Sequence, residues 1–256
     1  MGSEKTGVHT ERKQSDYAAF ITMHMKMVQS IQSRKAWADP VYHYYDMNAG
    51  SGIVNGDDGS PIIFAKQARS LEIRSRALLF EECADSAANL RQNLRDYDSL
   101  CQQFSVIEGD HSHTLLPHLK DDICRQPFGL MYFDPNGNVP PFELIRSACK
   151  ARSMKNVDML INLAATTVKR ARMAFPDKYD DLASTLPSLG KRHVLVRRPL
   201  HRHQWTFVLL TNWAKFPAME RRGIYRLDSD CGREAMMRIS MTAKEIENVF
   251  TGELPL

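Results

Sequence analysis

Short apolar runs alternate with segments of helical periodicity through the middle of this 256-residue chain. Aromatic and β-branched residues fill the runs, whereas the segments between them repeat apolar residues every three or four positions. Because the connecting links are short, this alternation predicts an α/β fold with a parallel sheet covered by helices on both faces. The predicted strands are 41–45, 76–81, 103–108, 129–133 and 157–163, and the predicted helices are 62–72, 86–97, 140–152 and 166–174.

The amino-terminal region lies outside this alternation. Residues 1–15 are polar and are predicted to form a loose lead, and an apolar stripe predicts a helix over 16–33. We therefore assign 1–35 to an N-terminal lead and helix, and 36–256 to one larger domain.

The alternation of strands and helices also ends after residue 175. The segment 175–203 is rich in Pro, Ser and basic residues and is predicted to be a substrate-facing insertion. Two later apolar runs, 205–212 and 223–227, predict an antiparallel edge on the sheet, and 242–250 predicts a terminal helix.

Composition excludes several classes of protein. No apolar run is long enough to span a membrane, and the start of the chain lacks the apolar core of a signal peptide. The 5 cysteines are scattered and include no C-x-x-C pair, which argues against a disulfide framework or a zinc ribbon and favours a cytoplasmic location. The His pairs 111/113 and 201/203 have no third ligand at suitable spacing, so no metal site is predicted.

Polar residues follow the ends of four successive predicted strands. Asp46 begins a glycine-rich turn, Glu81 ends the second strand, Asp110 follows the third and Asp134 follows the fourth. Ligands of open parallel sheets bind outside these strand ends, so the order predicts a site for an adenosine that carries a charged tail. Taken singly, the glycine-rich turn is equally typical of any tight turn, Glu81 is more typical of a solvated strand end, and Asp110 is more typical of a turn or a helix cap. The G-x-G pattern lacks the third glycine of dinucleotide sites, and no phosphate loop of nucleotide triphosphatases is present.

Several short motifs between residues 44 and 170 resemble those of a known superfamily, and they occur in the same order. YYDMNAGSG at 44–52 resembles the first motif of class I, Rossmann-like methyltransferases that use S-adenosylmethionine. Together with the later motifs it is similar to the three-Cys-motif partner protein family, and AG-x-G followed by GSP is similar to a ribosomal RNA adenine-N6 methyltransferase. The later motifs are GSPIIFA at 59–65, LLFEEC at 78–83, GD at 109–110, YFDPNG at 132–137 and DMLINLAATTVKR at 158–170.

The resemblance implies a sheet of about seven strands, mostly parallel, with the last strand antiparallel. It also implies S-adenosylmethionine as cofactor, with Glu81 on the ribose, Asp110 near the adenine and Asp46 near the methionine part. The cofactor-binding residues expected on this basis are Asp46, Asn48, Ala49, Gly50, Gly52, Ser60, Glu81 and Asp110.

Asp134 and Pro135 match the start of the Asp-Pro-Pro-aromatic motif of enzymes that methylate amino groups, which implies a catalytic role for both. The sequence then departs from that motif, because Asn136 and Gly137 replace the second proline and the aromatic residue. The aromatic ring normally stacks on a flipped base, so its absence puts methylation of adenine or cytosine in doubt. Asp-Pro-Asn-Gly is also a strong turn sequence in any protein.

Basic residues are concentrated late in the chain. The stretch 191–203 holds five Lys or Arg residues and three His residues, and Trp205 and Trp213 follow it, a composition that suits phosphate contacts and base stacking. A solvated basic face is the alternative explanation. The residues expected to bind DNA or RNA are Asn136, Lys169, Arg170, Arg197, Arg198 and Trp205.

Three functions remain open on the sequence. The leading one is methylation of a nucleic acid base, with an amino group of adenine or cytosine favoured, and the resemblance implies DNA modification in a phage or mobile element. The second is a catalytically inactive nucleic-acid-binding protein that keeps the methyltransferase fold. The third is a small-molecule methyltransferase, for which the basic residues would be ordinary surface.

Overall fold

The computed structural model describes residues 4–34, 40–121, 126–135, 138–174, 182–199, 205–214 and 219–240. The chain divides into two compact units. Unit 1 consists of Met1–Tyr132 and Ala151–Asp158, and unit 2 consists of Phe133–Lys150 and Met159–Leu256.

Unit 1 contains a parallel sheet, its connecting helices and one long N-terminal helix. A short hairpin interrupts the first connection, and a 3-10 turn at Arg152–Met154 belongs to the same unit. In chain order the elements are α1 (Glu4–Gln32), β1 (Tyr42–Asp46), β2 (Ile53–Val54), β3 (Asp57–Asp58), α2 (Ser60–Ser70), β4 (Ser75–Glu81), α3 (Ala84–Leu94), β5 (Gln102–Glu108), α4 (His111–Asp121) and β6 (Phe128–Phe133), whose last residue falls in unit 2.

The strand order in unit 1 is β6-β1-β4-β5, and every neighbouring pair is parallel. Tyr45 of β1 lies opposite Leu78 of β4 on one side and Met131 of β6 on the other. The chain therefore adds strands on one side of β1, then returns to place β6 on the other side. This reversal is the topological switch point of a doubly wound, Rossmann-like sheet, and it confirms the predicted α/β class.

Strand β1 is buried along its whole length, which is typical of a central parallel strand covered on both faces. The ring of Tyr44 stacks on Phe64 of α2, with centroids 4.1 Å apart and planes 9° from parallel. Pro61 lies in the first turn of α2, where its missing amide hydrogen and fixed φ suit the start of a helix.

Helix α1 begins at Glu4, so the predicted loose lead over 1–15 is wrong from that residue onward. The polar composition of the first two turns concealed the helix. The predicted apolar stripe is confirmed, because its members are buried within unit 1: Tyr17, Phe20, Ile21, Met25 and Val28.

Two further elements of unit 1 were absent from the prediction. Helix α4 contains Pro117 and several polar residues, which obscured its periodicity. The hairpin β2–β3 turns at Asn55 and Gly56, which both have positive φ. Asn-Gly with positive φ at both residues is the favoured two-residue hairpin turn.

Unit 2 contains antiparallel strands in the order β10-β8-β9-β7, and each neighbouring pair is antiparallel. Its elements are α5 (Phe142–Lys150), β7 (Val157–Ala164), α6 (Ala165–Ala174), α7 (Leu182–Thr185), β8 (His193–Arg197), β9 (Trp205–Thr211), β10 (Ile224–Arg226) and α8 (Asp230–Ser240). The first two residues of β7 fall in unit 1.

The predicted antiparallel edge is confirmed in unit 2, with a different pairing. The two late strands β9 and β10 do not pair with each other, since β8 lies between them. Strand β8 arises from the basic segment predicted to be an insertion, and helix α8 was not predicted at all. The terminal helix expected over 242–250 lies outside the described residues. Across the described ranges, no helix is both long enough and apolar enough for a membrane crossing.

Candidate functional site

The turn after β1, here called the glycine loop (residues 46–52), is organised by the carboxylate of Asp46. Its Oδ2 accepts hydrogen bonds from the Tyr44 hydroxyl at 2.7 Å and from Ser60 Oγ at 2.6 Å. Its Oδ1 accepts the backbone N–H of Asn48 at 3.2 Å. Asp46 is 0 % exposed. The carboxylate therefore bonds to the loop and its supports, and its contact with a ligand, which the sequence suggested, stays a prediction.

Glu81, at the end of β4, holds the same loop from the neighbouring strand. Its Oε2 accepts the backbone N–H of Gly50 at 2.7 Å, and its Oε1 accepts the N–H of Cys83 at 2.9 Å. Hydrogen bonds from amides to an ionised carboxylate are about twice as strong as neutral ones. The predicted order of acidic strand ends thus brings Asp46 and Glu81 to one loop.

Backbone hydrogen bonds complete the support of the glycine loop. The N–H of Ala49 donates to the carbonyl of Phe80 on β4, and the N–H of Met47 donates to the carbonyl of Tyr132 on β6, both at 3.0 Å. The carbonyl of Gly52 accepts the N–H of Gly59 at 2.6 Å. The loop is therefore fixed to both strands that flank β1.

The two glycines of the loop are required for different reasons. Gly50 has φ +63°, and a Cβ built on it meets no described atom within 4 Å, so the space above it is open. Gly52 has φ +82°, and a Cβ there would lie 2.8 Å from Leu90 Cδ1. Both need the backbone freedom of glycine. Gly50 leaves room for a ligand to approach the backbone, and Gly52 allows helix α3 to pack closely.

Asp110 lies beside Glu81, because the N–H of Gly109 donates to the Glu81 carbonyl at 3.0 Å. Its side chain caps α4, because Oδ1 accepts the backbone N–H of Ser112 and Oδ2 accepts a hydrogen bond from the Ser112 hydroxyl, each at 2.7 Å. These hydrogen bonds hold the pKa of Asp110 below its ordinary value. The side chain remains 44 % exposed, so its carboxylate can still meet a ligand.

Two further groups lie near the loop: the Tyr44 hydroxyl, which was not predicted from the sequence, and Asn48, which is among the expected cofactor-binding residues. The Tyr44 hydroxyl donates to Asp46 and also bonds to the Tyr17 hydroxyl of α1 at 2.7 Å. Asn48 Oδ1 is buried and has no hydrogen-bond partner among the described residues. Tyr44 had a usable signal, since residues two apart on a strand share a face and Tyr44 precedes Asp46 by two.

In unit 2, Asp134 follows β6 and is bonded to a residue of β7. Asn162 Nδ2 donates to Asp134 Oδ1 at 2.8 Å, and Asn162 itself is buried. Asn162 Oδ1 has no partner within the described part of the chain. The carbonyl of Pro135 accepts the N–H of Asn138 at 2.9 Å. Asn162 was missed, although it is an amide inside the otherwise apolar stretch 159–164 of β7.

The predicted basic residues of unit 2 have unequal environments. The guanidinium of Arg197 lies 5.4 Å from the centre of the Trp205 ring, within the range of a cation–π contact. Arg198 pairs with Glu234 of α8 at 2.8 Å. Lys191 is buried, so the basic segment is not one continuous exposed face. On α6, Lys169 is half-buried and Arg170 exposed, whereas Asn136 and residues 200–204 lie outside the described residues.

No protein-family model matches the chain, and no curated protein matches its sequence. Solved structures with a similar fold include the METTL16 methyltransferase domain, at 14% identity over 74% of this chain and 66% of that chain, with a TM-score of 0.45. The chain thus spans slightly less than two thirds of that domain. M. jannaschii TYW2 in complex with AdoMet matches at 12% identity, over 70% and 72% of the two chains, with a TM-score of 0.39. An rRNA methylase from Streptococcus thermophilus matches at 14% identity, over 72% and 93%, with a TM-score of 0.40.

Proposed function

We propose that this chain is a methyltransferase of class I that uses S-adenosylmethionine. The observation that carries the proposal is the glycine loop itself. It follows the central strand at the switch point of a doubly wound sheet, where open sheets bind ligands. Two acidic side chains hold it, and Gly50 keeps the space above its backbone open.

The groups around the loop fit the cofactor by their chemistry. S-adenosylmethionine carries hydrogen-bond donors on its ribose, its adenine amino group and its ammonium group. The exposed carboxylate of Asp110 is an acceptor of the matching kind, and so is Asn48 Oδ1, which no described residue bonds. When bound, the cofactor supplies a methyl group made electrophilic by the sulfonium.

Glu81 can hold the loop and a ribose at once. A carboxylate offers about four lone-pair positions, and the N–H groups of Gly50 and Cys83 use two of them. The remaining positions can accept the two ribose hydroxyls. Glu81 would then couple ribose binding directly to the position of Gly50.

For the substrate, we propose an amino group of a nucleic acid base. Asp134, oriented by Asn162, and the carbonyl of Pro135 would accept its N–H groups and align its lone pair. The carboxylate of Asp134 would also take the proton that the nitrogen loses. Such alignment alone can lower a reaction barrier by about 7–11 kcal/mol. The Arg197–Trp205 pair supports a nucleic acid, because guanidinium groups bind phosphates and indole rings stack on bases.

A second function is favoured by one observation. Asn136 and Gly137 stand where amino-methylating enzymes have proline and an aromatic ring. A protein without that ring can bind nucleic acid and cofactor yet transfer no methyl group. Cofactor binding and methyl transfer, measured separately, distinguish this binding protein from the enzyme.

Calorimetry with S-adenosylmethionine and S-adenosylhomocysteine tests the cofactor site. Glu81→Gln keeps the size of the side chain and removes its charge, so we expect affinity to fall about tenfold or more, the equivalent of one charged hydrogen bond. Glu108→Gln is the matched control, since Glu108 lies opposite Glu81 on β5 and has an exposed side chain. Absence of binding by the wild-type protein would refute the proposal.

Transfer of tritium from labelled S-adenosylmethionine to DNA or RNA tests the catalytic role of Asp134. We expect Asp134→Ala to bind the cofactor as the wild-type protein does and to lose at least about 100-fold in transfer. Asp228→Ala, which removes an exposed carboxylate paired with Arg226, should leave transfer unchanged. Salt-dependent binding of nucleic acid with no transfer by the wild-type protein would establish the second function instead.

A further inference from the structure

We propose that helix α1 is a positioning element for the glycine loop, and that the Tyr17 hydroxyl is the group through which it acts. The inference rests on the proposed function, in which this loop receives the cofactor. It adds a residue far from the loop in sequence that sets how well the cofactor binds.

A continuous chain of hydrogen bonds leads from α1 to the loop. The Tyr17 and Tyr44 hydroxyls are 2.7 Å apart, and Tyr44 lies 2.7 Å from Asp46 Oδ2. Ser60 Oγ, at the start of α2, donates to the same oxygen at 2.6 Å. Tyr17, Tyr44 and Asp46 are all buried, so water does not compete for these bonds.

The direction of each bond follows from the number of hydrogens. An ionised carboxylate has none, so Tyr44 donates to Asp46. Each hydroxyl has only one hydrogen, so the Tyr44 oxygen accepts its second bond from Tyr17. Burial, and then the Asp46 carboxylate, raise the pKa of Tyr44 well above its ordinary value, which keeps this donor protonated. Hydrogen bonds aligned in this way polarise and strengthen one another.

Tyr17 also contacts a second support of the loop. Its ring stacks on Tyr132, with centroids 4.7 Å apart. The carbonyl of Tyr132 accepts the N–H of Met47, the residue after Asp46. One side chain of α1 therefore touches both the hydroxyl that bonds Asp46 and the residue that holds Met47.

The same helix offers a matched control. His24 Nδ1 bonds the Tyr42 hydroxyl at 2.7 Å, and His24 Nε2 bonds Asp158 Oδ2 at 3.1 Å. This second buried contact joins α1 to β1 through a tyrosine hydroxyl, as the first does. It leads to Asp158 at the start of β7 and has no hydrogen bond to the glycine loop.

The experiment compares Tyr17→Phe with Tyr42→Phe in the full chain. Each variant removes one buried hydroxyl that joins α1 to β1, so both should lower the midpoint of urea unfolding. We expect only Tyr17→Phe to weaken the binding of S-adenosylhomocysteine, by about tenfold, which corresponds to the loss of one buried hydrogen bond. Only Tyr17→Phe should speed hydrogen exchange at the amides of Asn48 and Gly50. Tyr42→Phe should keep the affinity within about twofold.

A double variant sharpens the test. Because the bonds run in series, Tyr17→Phe added to Tyr44→Phe should cause little further loss of affinity, so the two changes should be strongly non-additive. Equal affinity and equal exchange in Tyr17→Phe and the wild type would overturn the inference, as would equal losses in Tyr17→Phe and Tyr42→Phe. If the wild-type protein binds no cofactor, the proposed function fails, and the exchange of the loop amides still decides whether Tyr17 positions the loop.

Discussion

The glycine loop of unit 1 and the basic residues of unit 2 differ in how far their polar groups are buried and bonded. Around the loop, polar groups are buried or half-buried and bonded to one another, with Asp46 and Glu81 accepting hydroxyl and amide hydrogens of the loop and its supports. In unit 2, Arg197 and Arg198 stay partly exposed, one against a ring and the other against a surface carboxylate. The side chains that hold the loop are therefore bonded into the interior of unit 1, whereas these arginines lie at the surface of unit 2.

This difference predicts how substitutions will act. A change in the loop removes a partner from a buried polar group, which lowers stability and ligand affinity together. A change among the exposed arginines removes charge from the surface and should alter ligand binding with little effect on folding. Three predictions test this contrast, in decreasing order of expected effect on stability.

Asp46→Ala should have the largest effect. It leaves the hydroxyls of Tyr44 and Ser60 and the N–H of Asn48 without their acceptor. The Tyr44 hydroxyl is buried and the other two donors are partly buried. Because a buried donor that loses its partner costs about 1–3 kcal/mol, we expect the free energy of unfolding to fall by about 3 kcal/mol or more in total. Urea denaturation measures this loss. Asp228→Ala, at an exposed carboxylate, should change it by less than about 0.5 kcal/mol, and similar values for the two variants would contradict the contrast.

Gly52→Ala and Gly50→Ala separate packing from backbone conformation. Both residues have positive φ, which costs an alanine about 1 kcal/mol. Only at Gly52 does the new Cβ meet Leu90, and such overpacking adds about 1–3 kcal/mol. Thermal unfolding should therefore show a larger loss for Gly52→Ala. Gly50→Ala should be the milder change for folding, yet it should reduce cofactor affinity, since its methyl group enters the open space above the loop.

The sequence predicted the loop and the parallel strands because their signals are local. Strand β1 is a short run of aromatic residues, and a glycine turn follows it directly. The order of acidic strand ends then placed Glu81 beside Gly50, because parallel strands bring their carboxyl ends to one edge.

The features that the sequence did not predict depend on tertiary contacts. Strand β8 reads as a basic segment because charged residues flank its three buried positions. The bond between Tyr17 and Tyr44 joins residues 27 positions apart, and no local pattern specifies it. The buried state of Asp46 follows from Ser60 and Tyr44 together, so its support of the loop became clear only from their geometry.

Arg197→Ala should have the smallest effect on folding and a clear effect on nucleic acid. The Arg197–Trp205 contact is partly exposed, so its loss should change the free energy of unfolding by no more than about 0.5 kcal/mol. If Arg197 contacts a phosphate, the slope of log affinity against log salt concentration should fall by about 1. Filter binding at several salt concentrations measures that slope. Arg95→Ala, at an exposed arginine outside the basic stretch 191–203, is the control and should leave the slope unchanged. Equal slopes for the wild type and Arg197→Ala would show that Arg197 does not contact nucleic acid. A large loss in the free energy of unfolding would contradict the contrast, because the stability of unit 2 would then depend on its basic residues as that of unit 1 depends on its carboxylates.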